Sequence, residues 1–295
     1  MTDYYTQSMR ALQLAGKGER TQVSYSRAVR QLVQFYDKPP EQISESELGE
    51  YFLHRQKVTG WSGSTLQIAQ AGIRFFFKNV LRRDLHLFQY LKAKRERPLP
   101  CILSREEVFD VLHHVPTFHS FAFLSTVYAC GLRLSEALSL AVSDIDGKRR
   151  MIHVHLGKGA KDRYVPIPQE TLLLLRRYWS THRNPQLLFP GLGRGQKGAP
   201  TATRPMSVES VQDALREARA TAGITKRRVT IHTLRHCYAT HLLEAGVNPR
   251  LIQRYMGHAR LETTMVYFHF TQKGVEDSCR IIDSIMKGFD HGRDR

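Results

Sequence analysis

In the first ninety residues the apolar positions keep helical time. Tyr25, Ala28, Val29, Leu32 and Phe35 or Tyr36 recur three and four apart, the spacing that lines one face of a helix. Ser44 with Glu47 forms an S-x-x-E capping box just ahead of Leu48, Tyr51 and Phe52. Ser64 is expected to open a long helix that runs through Ile73, Phe76 and Phe77. Phe75, Phe76 and Phe77 read as core. A base-stacking platform calls for aromatics on an exposed sheet, and these stand on a helix.

The pattern breaks at "LKAKRERPLPCILSREEV". Lys92, Lys94, Arg95 and Arg97 come close together, Pro98 and Pro100 stiffen the chain, and Ser104 with Glu107 caps a new helix. The chain is therefore divided into a helical domain over 1–91, a basic linker over 92–102 and a second domain over 103–295. Two domains also suit 295 residues, since single domains usually hold about 100–200.

Periodicity in the second domain is mixed. "TFHSFAFLSTVYAC" is an apolar helix stopped by Gly131, and "LRLSEALSLAVSDI" is expected to follow as a shorter one. "MIHVHL" alternates Ile152, Val154 and Leu156 with His153 and His155, a strand pattern. "GKGAK" makes a turn, and "RYVPIP" returns as a strand whose Pro166 marks an edge. "PGLGRGQKGAPTATRP", Pro190–Pro205, is expected to be a mobile loop near a phosphate backbone. Its G-x-G-x-G lacks the lysine-serine of a phosphate-binding loop and the strand–helix setting of a dinucleotide site. Thr233 to Glu244 reads as a helix with Leu234, Tyr238 and Leu242 buried, ended by Gly246. The next begins at Asn248–Pro249, turns Leu251, Ile252 and Tyr255 inward and ends at Gly257. Tyr267 falls on a short helix after Thr263–Thr264. Val275, Cys279, Ile282 and Met286, with Ile285 beside them, form an apolar stripe on a tail helix. The fold expected is mainly α with a small antiparallel β-sheet.

Composition narrows the partner. The chain has 44 Lys and Arg against 27 Asp and Glu, a charge of +17. The surplus is seven over residues 1–97 and ten over the rest, so both parts are basic. Such a balance suits two lobes on one polyanion, with nucleic acid the leading candidate. The first residues lack the basic and apolar regions of a signal peptide, and no apolar stretch approaches 18 residues. Cys101, Cys130, Cys237 and Cys279 are scattered and form no CxxC pair, which points to a reducing cytoplasm.

The candidate chemistry lies in "HTLRHCYATHLLEAGVNPRLIQRYMGHARLETTMVYFHF", His232 to Phe270. It gathers His232, Arg235, His258 and Tyr267, with Tyr267 nine residues beyond His258, and its only acids are Glu244 and Glu262. A bound phosphate would explain that set. Zinc on His232, His236 and His241 competes, but the helix lacks an H-E-x-x-H base and no cysteine pair completes a site. A helix-turn-helix reading DNA through Arg250 and Arg254 also competes. Upstream, Arg133 stands at a helix junction freed by Gly131, with Glu136 three residues on to order it. Lys158 sits at the tip of a hairpin between two glycines.

Together, "GLRLSEALSL", "GKGAKDRYVPIP", "HTLRHCYATHLLEAG" and "MGHARLETTMVYFHF" resemble the tyrosine recombinases, the phage-integrase and Xer-type site-specific recombinases. The resemblance covers nearly the whole chain, including the helical first domain and the entry "PLPCILSREEV". It implies a helical core-binding domain, an α+β catalytic domain and cleavage and rejoining of double-stranded DNA at specific recombination sites. Its further implications are a homotetramer or paired recombinase on DNA, a tail helix docked in a neighbour, and no cofactor or metal. Carried over by motif, Arg133 and Arg235 clamp phosphate, Lys158 is the general acid, His232 and His258 bond phosphate and assist proton transfer, and Tyr267 is the nucleophile. Phe268 departs from the pattern, in which a small or polar residue is frequent after the tyrosine. Integration, excision, resolution and transposition by a mobile element all fit this resemblance. So does relaxation by a type IB topoisomerase-like enzyme, which shares the same residue logic.

Overall fold

The computed structural model describes residues 4–91, 100–155, 162–193 and 198–267. The chain divides into two compact units, Met1–Leu99 and Pro100–Arg295.

The described part of the first unit is helical: α1 (Tyr4–Leu14), α2 (Glu19–Tyr36), α3 (Glu45–Lys57), α4 (Gly63–Asn79) and the short α5 (Leu87–Tyr90). The capping box of α3 forms: Ser44 Oγ accepts from Glu47 N–H and Glu47 reaches back to Ser44 N–H. The start of α4 is two residues earlier than the sequence suggests. Ser62, not Ser64, is the cap, because its hydroxyl accepts from Thr65 N–H. Leu32, Ile43, Leu48, Tyr51, Ile73, Phe76 and Phe77 fill the core. Phe75 is only half-buried and lies toward Tyr25, so the aromatic run is core at two of its three positions.

In the second unit, α6 (Arg105–His113) opens on the expected Ser104–Glu107 box. α7 (Phe118–Cys130) is apolar on nearly every face, and it lies at the centre, packed by α6, by α9 (Gln169–His182), by α10 (Val208–Thr221) and by α11 (Ile231–Glu244). After Gly131 comes α8 (Leu134–Leu138), shorter than the stretch Leu132–Ile145 that the apolar spacing suggests. The chain leaves the helix at Ser139, makes a 3-10 turn over Val142–Asp144 and enters a two-residue strand, β1 (Ile145–Asp146). β1 pairs antiparallel with β2 (Met151–Val154), which pairs with β3 (Arg163–Pro166). β3 is an edge strand, as Pro166 requires. Ile152, Val154 and Val165 face the core; His153 and Tyr164 face outward. The ends of the Pro190–Pro205 loop are not loose. Gly191 N–H donates to Arg204 O at 2.9 Å, and Met206 N–H to Phe189 O at 3.0 Å. Its middle, residues 194–197, lies outside the described residues.

α12 (Pro249–Met256) and α13 (Glu262–Met265) follow α11. On α12 it is Ile252 and Met256 that are buried, Tyr255 is half-buried, and Leu251 is 43% exposed rather than inward. On α11 Leu242 is half-buried, while Arg235 and His241 are buried in its place. Among the described residues no helix is long and apolar enough to cross a membrane.

Candidate active site

Three arginines converge on one carboxylate in the second unit. Arg133 is the residue before α8, and its backbone N–H donates to Glu136 Oε2 at 2.8 Å, the back-reach of a helix cap. Its guanidinium also donates to Glu136 Oε1 at 2.6 Å. Arg163 on β3 makes a two-pronged bond to the same carboxylate, at 2.9 and 2.7 Å. Arg235 on α11 is 4% exposed, and its Nη1 lies 3.7 Å from Glu136 Oε2. Burial alone would raise the Glu136 pKa, but the bonds from Arg163 and Arg133 outweigh it and bring it to about 2. Burial and the charge of Arg133 lower Arg235 to about 10, against the pull of Glu136.

The end of α12 supplies the remaining acceptors. Tyr255 O accepts from Arg163 at 2.7 Å, Met256 O from Arg235 at 2.5 Å and Gly257 O from Arg133 at 3.2 Å. These are carbonyls that a helix C-terminus leaves without an intrahelical partner, and they carry the negative end of its dipole. Gly131 O, at the end of α7, accepts from Arg235 at 2.5 Å. Both glycines are required. Gly257 has φ +60 and Gly131 φ +59, and a Cβ on Gly131 would stand 2.3 Å from Tyr238 Cδ1.

Beside this cage lies a group of imidazoles around a phenol. Tyr267, 4% exposed, packs with Tyr238, Ala239, Leu243, Ile252 and Met256. Its Oη is 2.7 Å from His236 Nδ1. His258, held next to the Gly257 cap, has Nδ1 2.8 Å from Thr264 Oγ1 and its ring stacked on Tyr267 at 6.3 Å. His232, in the first turn of α11, lies one turn before His236, with 6.2 Å between ring centroids. Burial and the neighbouring arginines lower these histidines: His236 falls to about 4 and His258 to about 3, while His232, more exposed, shifts in the same direction. Burial raises Tyr267, opposed by Arg235 and Arg133.

Five of the six residues expected from the sequence therefore stand together: Arg133, His232, Arg235, His258 and Tyr267. Lys158 lies outside the described residues, as do the tail stripe Val275–Met286 and most of the basic linker. Two participants were not anticipated. Arg163 sits on the inward phase of β3 with Val165, where a charge needs a partner. His236 follows His232 by four residues, on the same helix face. The zinc arrangement does not form: His241 is tied to Tyr128 Oη at 2.8 Å and to Leu103 O at 3.0 Å.

Known proteins resemble this chain over most of its length. Residues 102–273 match the phage integrase family, and residues 4–87 match the phage integrase N-terminal SAM-like domain. A putative integrase/recombinase of Sinorhizobium fredii is 37% identical, over 86% of this chain and 80% of that protein. The tyrosine recombinase XerA of Thermococcus onnurineus is 33% identical, over 94% of this chain and 95% of its own length. Among solved structures, the Tn1549 transposon integrase in complex with transposon right end DNA has a TM-score of 0.70, covering 95% of this chain and 99% of that one at 18% identity. A lambda integrase dimer bound to a COC' core site has a TM-score of 0.72, covering 90% and 94% at 14% identity. At these identities the two structures speak for the fold.

Proposed function

The chain belongs to the phage integrase family of tyrosine recombinases, and we propose that it cuts and rejoins double-stranded DNA at specific sites with Tyr267 as the nucleophile. The observation that carries this reading is one buried phenol bonded to a neutral imidazole beside two arginines. A phenol ordinarily titrates near pH 10, so attack at neutral pH needs both a proton acceptor and positive charge. His236, neutral above a pKa of about 4, is placed to take the proton from Tyr267 Oη. Arg133 and Arg235 hold the phosphate. Each guanidinium has five donors, and the contacts with Glu136 and the helix-end carbonyls leave donors over for non-bridging oxygens. Their charge stabilises the transition state. His232 and His258 add hydrogen bonds to the same oxygens.

In the forward step the Tyr267 oxygen bonds to phosphorus and the phosphorus–O5′ bond breaks. Lys158 protonates the leaving 5′ oxygen. The product is a 3′-phosphotyrosyl bond and a free 5′-hydroxyl. A 5′-hydroxyl attacking that bond reverses the step, so joining needs no ATP.

Both units take part in binding DNA, since both are basic. Assembly into a tetramer uses the tail. The second unit carries an apolar groove of about 770 Å³, lined by Phe109, Leu112, Phe121, Leu174 and Leu242, with Phe109 61% exposed. The stripe Val275, Cys279, Ile282, Ile285 and Met286 has the chemistry to fill such a groove on a neighbouring copy.

A nicked suicide substrate tests the central claim on a denaturing gel. The wild type should give a covalent protein–DNA band and Tyr267→Phe none. An adduct that survives Tyr267→Phe removes the assignment.

A further inference from the structure

Away from the cage, a second polar cluster sits on the outer face of the sheet. His153 and His155 are two apart along β2 and its continuation, so both leave the same side. Val154 pairs with Arg163 and His153 with Tyr164, so Asp162 comes to the same end of the two strands. The two imidazole centroids are 4.0 Å apart. Asp162 Oδ2 is 3.2 Å from His153 Nε2 and 3.5 Å from His155 Nδ1. One donor atom from each residue lies within 4.8 Å of the others.

The two nitrogen–oxygen separations are those of atoms that share a metal. Two ligands at the zinc distances of about 2.0–2.1 Å, set at a tetrahedral angle, lie about 3.3 Å apart. The surroundings orient the donors. His155 Nε2 is 2.8 Å from Oδ1 of Asp144, whose side chain is 7% exposed and whose other oxygen accepts from Ala141 N–H. That bond places a proton on Nε2 and leaves the Nδ1 lone pair aimed at a carboxylate oxygen. A lone pair facing a carboxylate is repulsive unless a cation lies between them. A histidine ligand backed by a carboxylate is the usual outer arrangement of a metal site. His153 is fixed as well, stacked on Tyr164 at 4.6 Å with an 11° interplanar angle.

We propose that His153 Nε2, His155 Nδ1 and Asp162 bind one divalent transition ion, with Asp144 as the outer carboxylate. Two imidazoles and a carboxylate suit Zn²⁺, Co²⁺, Ni²⁺ or Cu²⁺ rather than Mg²⁺ or Ca²⁺. The ion ties β2 to β3 at the two residues bordering 156–161, the stretch that carries Lys158. The binding site itself stands on its own geometry, whatever Lys158 does.

The alternative occupant is a proton on His155, and metal titration separates the two. The full chain is titrated with Co²⁺ at pH 7.5 while visible absorption is followed, and Zn²⁺ is then added in competition. One Co²⁺ per chain with tetrahedral bands, displaced by Zn²⁺, is expected. His155→Ala and Asp162→Asn should abolish the bands. Asp144→Asn should weaken binding by about tenfold or more, the usual effect of losing an outer partner. Circular dichroism checks that each variant is folded. The proposal is overturned by three results: no saturable binding to the wild type, bands unchanged in a His153→Ala/His155→Ala double variant, or a thiolate charge-transfer band showing that cysteine holds the ion.

Discussion

Residues 4–91 and the described part of the second unit both bury large apolar cores, but they differ in what else they bury. Among the described residues of the first unit, the buried polar side chains are Ser8, Gln22 and Ser26, all uncharged. The second unit buries Glu136, Arg163 and Arg235 around one point, with Asp144 elsewhere. A buried ion pair is seldom a net gain in stability, because desolvation consumes most of the attraction. Charges gathered at such a cost mark where chemistry requires them. The buried positions of the first unit thus answer to packing, and the second unit carries a centre whose buried positions answer to charge.

The strongest way to break this contrast is Glu136→Ala. It leaves Arg133, Arg163 and Arg235 facing each other without their shared anion. The expected cost is on the order of 3–5 kcal/mol by urea unfolding. Adduct formation on the suicide substrate should fall by about a hundredfold or more. A stable and active variant would mean that the helix-end carbonyls alone hold the arginines.

Phe76→Ala is the counterpart in the first unit, where the ring is fully buried. A cost of about 3–5 kcal/mol is expected. Hydrogen exchange should quicken across α2–α4 and leave α7 and α11 unchanged. Loosening that spreads to α11 would show that the two cores are not independent.

Gly131→Ala should cost about 1–3 kcal/mol from the left-handed backbone. The steric demand of a Cβ 2.3 Å from Tyr238 adds to that. Because Gly131 O also receives Arg235, adduct formation should drop along with the thermal midpoint.

The smallest effect is in pH. His236 and His258 are held neutral when folded, with pKa values near 4 and 3 against 6.5 for the free side chain. Below 6.5 the unfolded chain binds protons that the folded chain refuses. Their contribution is therefore intact above pH 6.5 and is lost as pH falls, toward 4 for His236 and toward 3 for His258. The lowered Glu136 adds a second loss, beginning below 4.5 and running toward 2. The melting temperature of the second unit should decline through the first window, and His236→Asn should flatten part of that decline.

Much of this centre was legible in the sequence, and the gaps have physical causes. Gly131 and Gly257 announced the helix ends, and the S-x-x-E boxes at Ser44 and Ser104 announced two starts. The motifs placed Arg133, His232, Arg235, His258 and Tyr267. β1 was missed because two residues are too few for alternation to show. α8 was read too long because apolar spacing persists where the chain has already left the helix. Arg163 does carry a signal in the sequence: it shares the inward phase of β3 with Val165, and a charge in that phase implies a buried partner. In the sequence His236 stands out only as a candidate zinc ligand with His232 and His241. Its actual partner, Tyr267, is thirty-one residues away, and helical spacing carries no information over that distance.

The arginine bonds at the end of α12 also form a mechanical anchor. Tyr255, Met256 and Gly257 are each held by an arginine rooted elsewhere: on β3, on α11 and at the start of α8. Tyr267 is attached only ten residues further along. In the proposed reaction, with its oxygen bonded to DNA, any pull from a moving strand passes down that short stretch, α13 included, to the end of α12. There it meets three guanidinium bonds that share the load among three parts of the unit. Two of the three bracing arginines, Arg133 and Arg235, are the ones proposed to grip the phosphate.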